Sequence, residues 1–163
     1  MTERRGSRTV RSADEREDRN KALLRRFYEE LWSQGDLGTI PELVAENFVD
    51  HHPLPGAPPG REGLAALITT WRTAFPGMRE TVEDLIAEGD KVVGRFDTRG
   101  THGGEFIGVL PTGRSVTMSG IDIFRVAGGK IVEFWYGEHL LELLQQLGAV
   151  PDFAASYTPR DEH

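Results

Sequence analysis

Asp122 stands where a carboxylate is costly to place. Residues 114–136, RSVTMSGIDIFRVAGGKIVEFWY, hold two runs rich in β-branched and aromatic side chains around Gly128-Gly129. That dipeptide suits a tight hairpin turn. Counting by twos along the first run, Val116, Met118, Gly120, Asp122, Phe124 and Val126 share one face. An acid inside an apolar face is destabilising unless it is paired or held neutral. Burial would raise its pKa and make it a usable general acid or base near neutrality. The alternative is a structural ion pair with Arg95 on the adjacent strand. His102, at the end of the preceding strand, is a second candidate, since imidazole can pass a proton or hydrogen-bond a carbonyl oxygen. It is equally readable as a surface histidine at a strand end. Asp97 joins the set only if it turns inward. Asp50, His51 and His52 invite a metal reading, but adjacent residues of an extended segment point opposite ways. No metal site is expected, and a rim or substrate role falls to His52.

The elements that must position these residues follow from periodicity. Residues 14–32 predict a helix, with Leu23, Leu24, Phe27, Tyr28, Leu31 and Trp32 recurring at three- and four-residue spacing. A short second helix is expected over 37–46. The rigid segment LPGAPPG then leads to a third helix over 61–75, with Leu64, Leu67, Ile68, Trp71 and Phe75 as its stripe. Beyond Pro76-Gly77 the period falls to two, predicting strands over 78–87 and 91–102, then the hairpin, then a last helix over 138–147. Helices first and four antiparallel strands after them indicate an α+β fold. A curved antiparallel sheet wrapped on the N-terminal helices would enclose a conical internal pocket, where small ligands usually bind. Residues 1–18 read as a disordered charged leader, 19–151 as one domain and 152–163 as a polar tail.

Composition narrows the function. With 163 residues the chain can bury a substantial core, and its formal charge of −7 argues against general nucleic-acid binding. Without cysteine there is no disulfide, thiolate metal site or thiol nucleophile. No apolar run approaches a membrane span and no signal-peptide core is present, so a cytoplasmic protein is expected. Phosphate-cradling loops and serine-nucleophile elbows are absent.

A set of motifs carries a family resemblance. Asn47-Phe48-Val49-Asp50-His51-His52-Pro53, Gly100-Thr101-His102-Gly103-Gly104, Pro111-Thr112-Gly113-Arg114, Gly120-Ile121-Asp122-Ile123-Phe124-Arg125, Gly129-Lys130-Ile131-Val132-Glu133-Phe134-Trp135 and Leu144-Gln145-Gln146-Leu147-Gly148 occur in that order. Together they resemble the SnoaL-like ester cyclases of the polyketide cyclase group, over about residues 20–151. The resemblance implies a nuclear-transport-factor-two-like α+β cone. It implies cofactor-independent intramolecular aldol cyclisation of a polyketide-like ester, with Asp122 as the acid/base residue and His102 assisting. Tyr28, Trp32, Trp71, Arg95, Phe96 and Trp135 then become candidates for contacting an apolar substrate, and a homodimer through the sheet is expected by analogy of fold. His139 departs from the family pattern, which often has an acid four positions after the last strand's tryptophan. Two rival readings share the fold. One is an isomerase, dehydratase or epoxide hydrolase, the last using Asp97, Arg95 and Asp122. The other is a non-catalytic binding or dimerisation module in which Arg95 neutralises Asp122.

Overall fold

The computed structural model describes residues 4–152. Helix α1, Arg4–Arg26, runs on into a π-helical stretch, Phe27–Ser33. It starts well ahead of the expected onset near residue 14, so residues 4–18 are helical rather than irregular. The wider π turn sets Phe27, Tyr28, Leu31, Trp32 and Ser33 together on the buried side. A 3₁₀ turn, Leu37–Thr39, and one turn of helix α2, Ile40–Leu43, precede strand β1, Val44–Asp50. Helix α3 spans Gly60–Ala74. Strands β2, Arg79–Glu88, β3, Lys91–Thr101, β4, Ser115–Ala127, and β5, Lys130–Glu138, follow, then helix α4, Leu140–Gln146. The expected tail beyond Asp152 lies outside the described residues.

The strands form one sheet in the order β1-β5-β4-β3-β2. Neighbours from β2 to β5 are antiparallel, whereas β1 runs parallel to β5, so the sheet is mixed and has five strands rather than four. The expected helix over 37–46 forms as a 3₁₀ turn and one α turn over 37–43, and its last three residues belong to β1 instead. Ile40 and Leu43 lie in α2, but Val44, which continues their stripe, pairs with Ile131, and Asp50 pairs with Phe134. This non-local pairing overrides a weak local preference. The hairpin closes as expected, with Gly128 at φ 58° and Gly129 at φ 73°, the two positive angles that a tight turn of this kind requires.

Burial alternates strictly along β4, and the buried residues include Val116, Met118, Asp122, Phe124 and Val126. The face singled out from the sequence is thus the inner one. It packs on α3 and on the π-helical stretch, where Phe27 meets Phe124 at 5.2 Å and Phe134 at 5.8 Å between ring centroids. A register shift between Val82 and Asp84 rotates β2, sending Asp84 to solvent while Leu85 packs against the core. The result is an α+β cone, a curved sheet folded round the N-terminal helices.

Candidate functional site

Asp122 lies on the inner face of β4 at 3% exposure, directly opposite Gly94 on β3 and Tyr136 on β5. Its Oδ2 accepts a hydrogen bond from the Tyr28 hydroxyl at 3.0 Å, while its Oδ1 is buried with no partner among the described residues. Burial raises its pKa well above the usual carboxylate range; the Tyr28 bond opposes that shift and the nearby Glu138 adds to it. Burial also raises the Tyr28 phenol, and Asp122 pushes it further. The pair is therefore a neutral phenol on a carboxyl group that favours its protonated form.

The expected ion pair with Arg95 does not form. Arg95 faces Ile121 in the register, on the outer side of the sheet, and its guanidinium binds Asp84 at 2.6 Å. Asp97 is on that outer side too, accepting from Ser119 Oγ at 2.8 Å. The arginine and two acids that an epoxide-hydrolase reading needs are split across the two faces of the sheet.

Three further acids surround Asp122. Glu138 stands opposite Gly120 and is thus the diagonal neighbour of Asp122 on the same face. Burial, with Asp50 adding to it, raises Glu138 to about 7 against the pull of its own backbone N–H. Glu80, opposite Thr98 on β3, accepts from Thr98 Oγ1 at 3.2 Å and leaves Oε2 enclosed without a partner among the described residues. Burial raises its carboxyl well above normal, and Asp122 adds to the shift. Ser33 fixes this stretch of β2, its Oγ accepting from Glu80 N at 2.9 Å and donating to Glu80 O at 3.3 Å. Asp50, at the end of β1, is raised by burial although His52 N–H donates to its Oδ1 at 2.8 Å. Tyr136 lies among Asp50, Glu138 and Asp122, and its hydroxyl donates to the His52 carbonyl.

The other sequence candidates divide between this cluster and places away from it. Phe96 belongs to the cluster, 5.5 Å from the Tyr28 ring and fitted against Gly120. His52 joins through its carbonyl and through its ring, edge-on to Tyr136 at 5.5 Å. Trp32 is buried at 5% exposure in the helical layer. Trp71 stacks on Phe75 and Phe106 beside a small void lined by Thr98, Met118 and Leu143. His102 is fully buried, which excludes the surface reading of it, but it lies at the far end of β3 from Gly94. Its Nδ1 takes the Thr112 N–H at 3.2 Å and lies 3.0 Å from Thr112 Oγ1, pinning the turn before β4. Eight residues of strand separate it from Gly94, about 26 Å of contour. No hydrogen bond joins it to Asp122 among the described residues. Trp135 is on the outer face, stacked on His51 at 4.4 Å. His51 and His52 thus point opposite ways, as expected. His139 is exposed, 3.7 Å from Glu142 at the start of α4.

Glu138, Glu80 and Tyr136 were legible and missed. Alternation through Phe134, Tyr136 and Glu138, and through Met78, Glu80 and Val82, sets them on the inner face. The acid looked for four positions beyond Trp135 stands three beyond it.

A family model described as SnoaL-like polyketide cyclase matches residues 22–147. Among solved structures, the chain is similar to IdmH of Streptomyces antibioticus, described as a candidate polyketide cyclase. Identity is 38% and TM-score 0.69, over 79% of this chain and 98% of that one. A candidate polyketide cyclase of Bacillus cereus is 36% identical at TM-score 0.71, over 82% and 83% of the two chains. AclR of Streptomyces galilaeus, described as a candidate hydroxylase, is 28% identical at TM-score 0.73, over 88% and 87%. No curated protein sequence matches.

Proposed function

The chain belongs to the SnoaL-like polyketide cyclases, and from that membership we propose that it is a cofactor-independent acid/base enzyme that closes a ring in a polyketide-like ester by intramolecular aldol addition. The observation that carries this reading is Asp122, a buried acid whose one hydrogen-bond partner is a neutral phenol rather than a cation. No cation among the described residues neutralises it, since Arg95 lies on the outer face and binds Asp84.

The proton between an ester and a ketone is acidic enough for a carboxylate of raised pKa to remove. The resulting enolate carbon attacks a second carbonyl of the same molecule, and the new alkoxide takes up a proton. Holding the chain folded with its ends in contact supplies much of the acceleration. Phe96, the ring edges beside it and the half-buried Tyr136 offer an apolar wall for such a substrate.

Asp122→Asn keeps size and the capacity to accept from Tyr28, so the fold should persist. Cyclisation of a methyl β-keto ester carrying an ortho-acetylphenylmethyl group should fall by about 10²–10⁴-fold, the usual contribution of a general acid or base. Undiminished turnover in the folded variant would overturn the reading.

The outer face of the sheet exposes Ile121 and Ile123, at 51% and 39%. They lie beside the His51–Trp135 stack and Lys91, whose Nζ is 5.9 Å from the Trp135 ring centroid. In the proposed enzyme this face carries a homodimer. Ile121→Glu should convert the dimer to monomer in light scattering, and a wild-type monomer at micromolar concentration would exclude it.

A further inference from the structure

Aldol closure has two proton steps with opposite demands. A carbon-bound proton must go to a base that is ionised at the start, and an alkoxide must receive a proton from an acid that is neutral at that moment. One carboxyl can serve both only in sequence. Two of the carboxyl groups in the site, Glu138 and Asp122, sit in different surroundings, and we propose that they divide the work: Glu138 takes the carbon proton and Asp122 protonates the new alkoxide.

The geometry places them for this. Glu138 and Asp122 are diagonal neighbours on the inner face, across the β4–β5 pair, with Tyr136 alongside. Asp122 is at 3% exposure, its Oδ2 on Tyr28 and its Oδ1 unpartnered among the described residues. Glu138 is only partly buried, at the strand end where the chain turns toward α4. Gly120, opposite Glu138, presents no side chain, and its space is taken by the Phe96 edge; Gly94, on the far side of Asp122, leaves room for the Tyr28 hydroxyl.

The protonation states agree. Glu138, raised to about 7, is partly ionised at neutrality, whereas burial pushes Asp122 well above the usual carboxylate range and so favours its protonated form. The groups facing Glu138 are Asp50 on β1, Asp122 on β4 and Tyr136 on its own strand, with Glu80 across on β2; all are acidic or neutral. In the step itself the C–H bond breaks toward Glu138, the enolate carbon bonds to the acetyl carbon, and the carbonyl electron pair moves to oxygen. That oxygen takes the Asp122 proton. A proton passing from Glu138 to Asp122 then restores both groups, with no net proton or electron consumed.

This division rests on the acid/base reading above, and the test separates the two. The ortho-acetylphenylmethyl β-keto ester reports both half-reactions: methylene deuterium uptake follows deprotonation, and formation of the closed alcohol, with the naphthol it gives on losing water, follows closure. Glu138→Gln should lose enzyme-catalysed deuterium uptake by more than tenfold, and closure with it. Asp122→Asn should retain uptake to within about fivefold while closure falls by about 10² or more. The reverse pattern, or loss of both half-reactions in Asp122→Asn with Glu138→Gln unaffected, overturns the division and leaves the cyclase reading standing. No acceleration of either half-reaction by the wild-type protein overturns both.

Discussion

Thermal unfolding is expected to move to lower temperature as pH rises from 5 to 8, the reverse of a protein held by salt-bridged carboxylates. Glu138, Asp122 and Glu80 all have raised pKa values in the folded chain, each with burial as the largest cause. Unfolded, they titrate near the ordinary value of about 4. At intermediate pH the native state holds protons that the unfolded chain has released, so stability falls as pH rises. The stabilising contribution is complete below the unfolded pKa and is lost progressively up to the folded one. For Glu138 that window runs from ordinary carboxylate pH to about 7. For Asp122 and Glu80 it extends higher, since both are raised well above normal. The Glu138 shift alone corresponds to about 3 kcal/mol, or roughly 6–12 °C in a domain of this size. Glu30 and Glu133 are shifted down by Arg26 and Arg125 and act in the opposite direction. They are solvated ion pairs whose contribution is small. Calorimetry at pH 5, 6.5 and 8 measures the slope, and Glu138→Gln should flatten its lower part. A Tm that rises with pH across this range would mean that the three carboxyl groups are solvated and not clustered.

The same cluster shows why some of the site was readable from the sequence and some was not. Alternation fixes which residues share a face of one strand, and the face that carries Asp122, Phe124 and Val126 is the buried one. It does not say which partner a buried acid takes. Arg95 is adjacent in register but on the other face, because it pairs with Ile121 while Gly94 meets Asp122. The true partner, Tyr28, lies 94 residues away on the π-helical stretch, and no local pattern reports such a contact. Trp135 illustrates the same limit: it was grouped with the pocket for its aromatic ring, although one count by twos from Phe134 assigns it to the outer face. β1 was hidden for a different reason. Its pairing with β5 is parallel and long-range, so Asp50 enters the cluster through a contact that no hairpin or turn signals.

Gly94→Ala is expected to dislodge Tyr28 from Asp122 and to destabilise the protein by about 2–6 kcal/mol. A Cβ at position 94 would lie 2.4 Å from the Tyr28 hydroxyl oxygen and 3.0 Å from its Cζ. Tyr28 cannot easily withdraw. It is 1% exposed and held by Phe27 at 5.7 Å, Phe96 at 5.5 Å and Phe124 at 5.9 Å between centroids. Overpacking of this kind costs about 1–3 kcal/mol. Displacing the hydroxyl leaves Asp122 Oδ2 without its donor, at about 1–3 kcal/mol more. Gly94 therefore leaves space for one oxygen atom, and the two residues should be coupled. Tyr28→Phe alone removes the donor and costs about 1–3 kcal/mol. In the double variant the new methyl group occupies the space the hydroxyl has left, so the loss should fall short of the sum of the singles by at least about 1 kcal/mol. Urea unfolding of the four proteins supplies the cycle. Additive losses would mean that Gly94 and the Tyr28 hydroxyl do not share that space, and the Tyr28–Asp122 bond would lose its structural basis. Coupling in stability together with low closure rates in both Tyr28 variants would show that Gly94 is kept bare to seat the phenol on the acid.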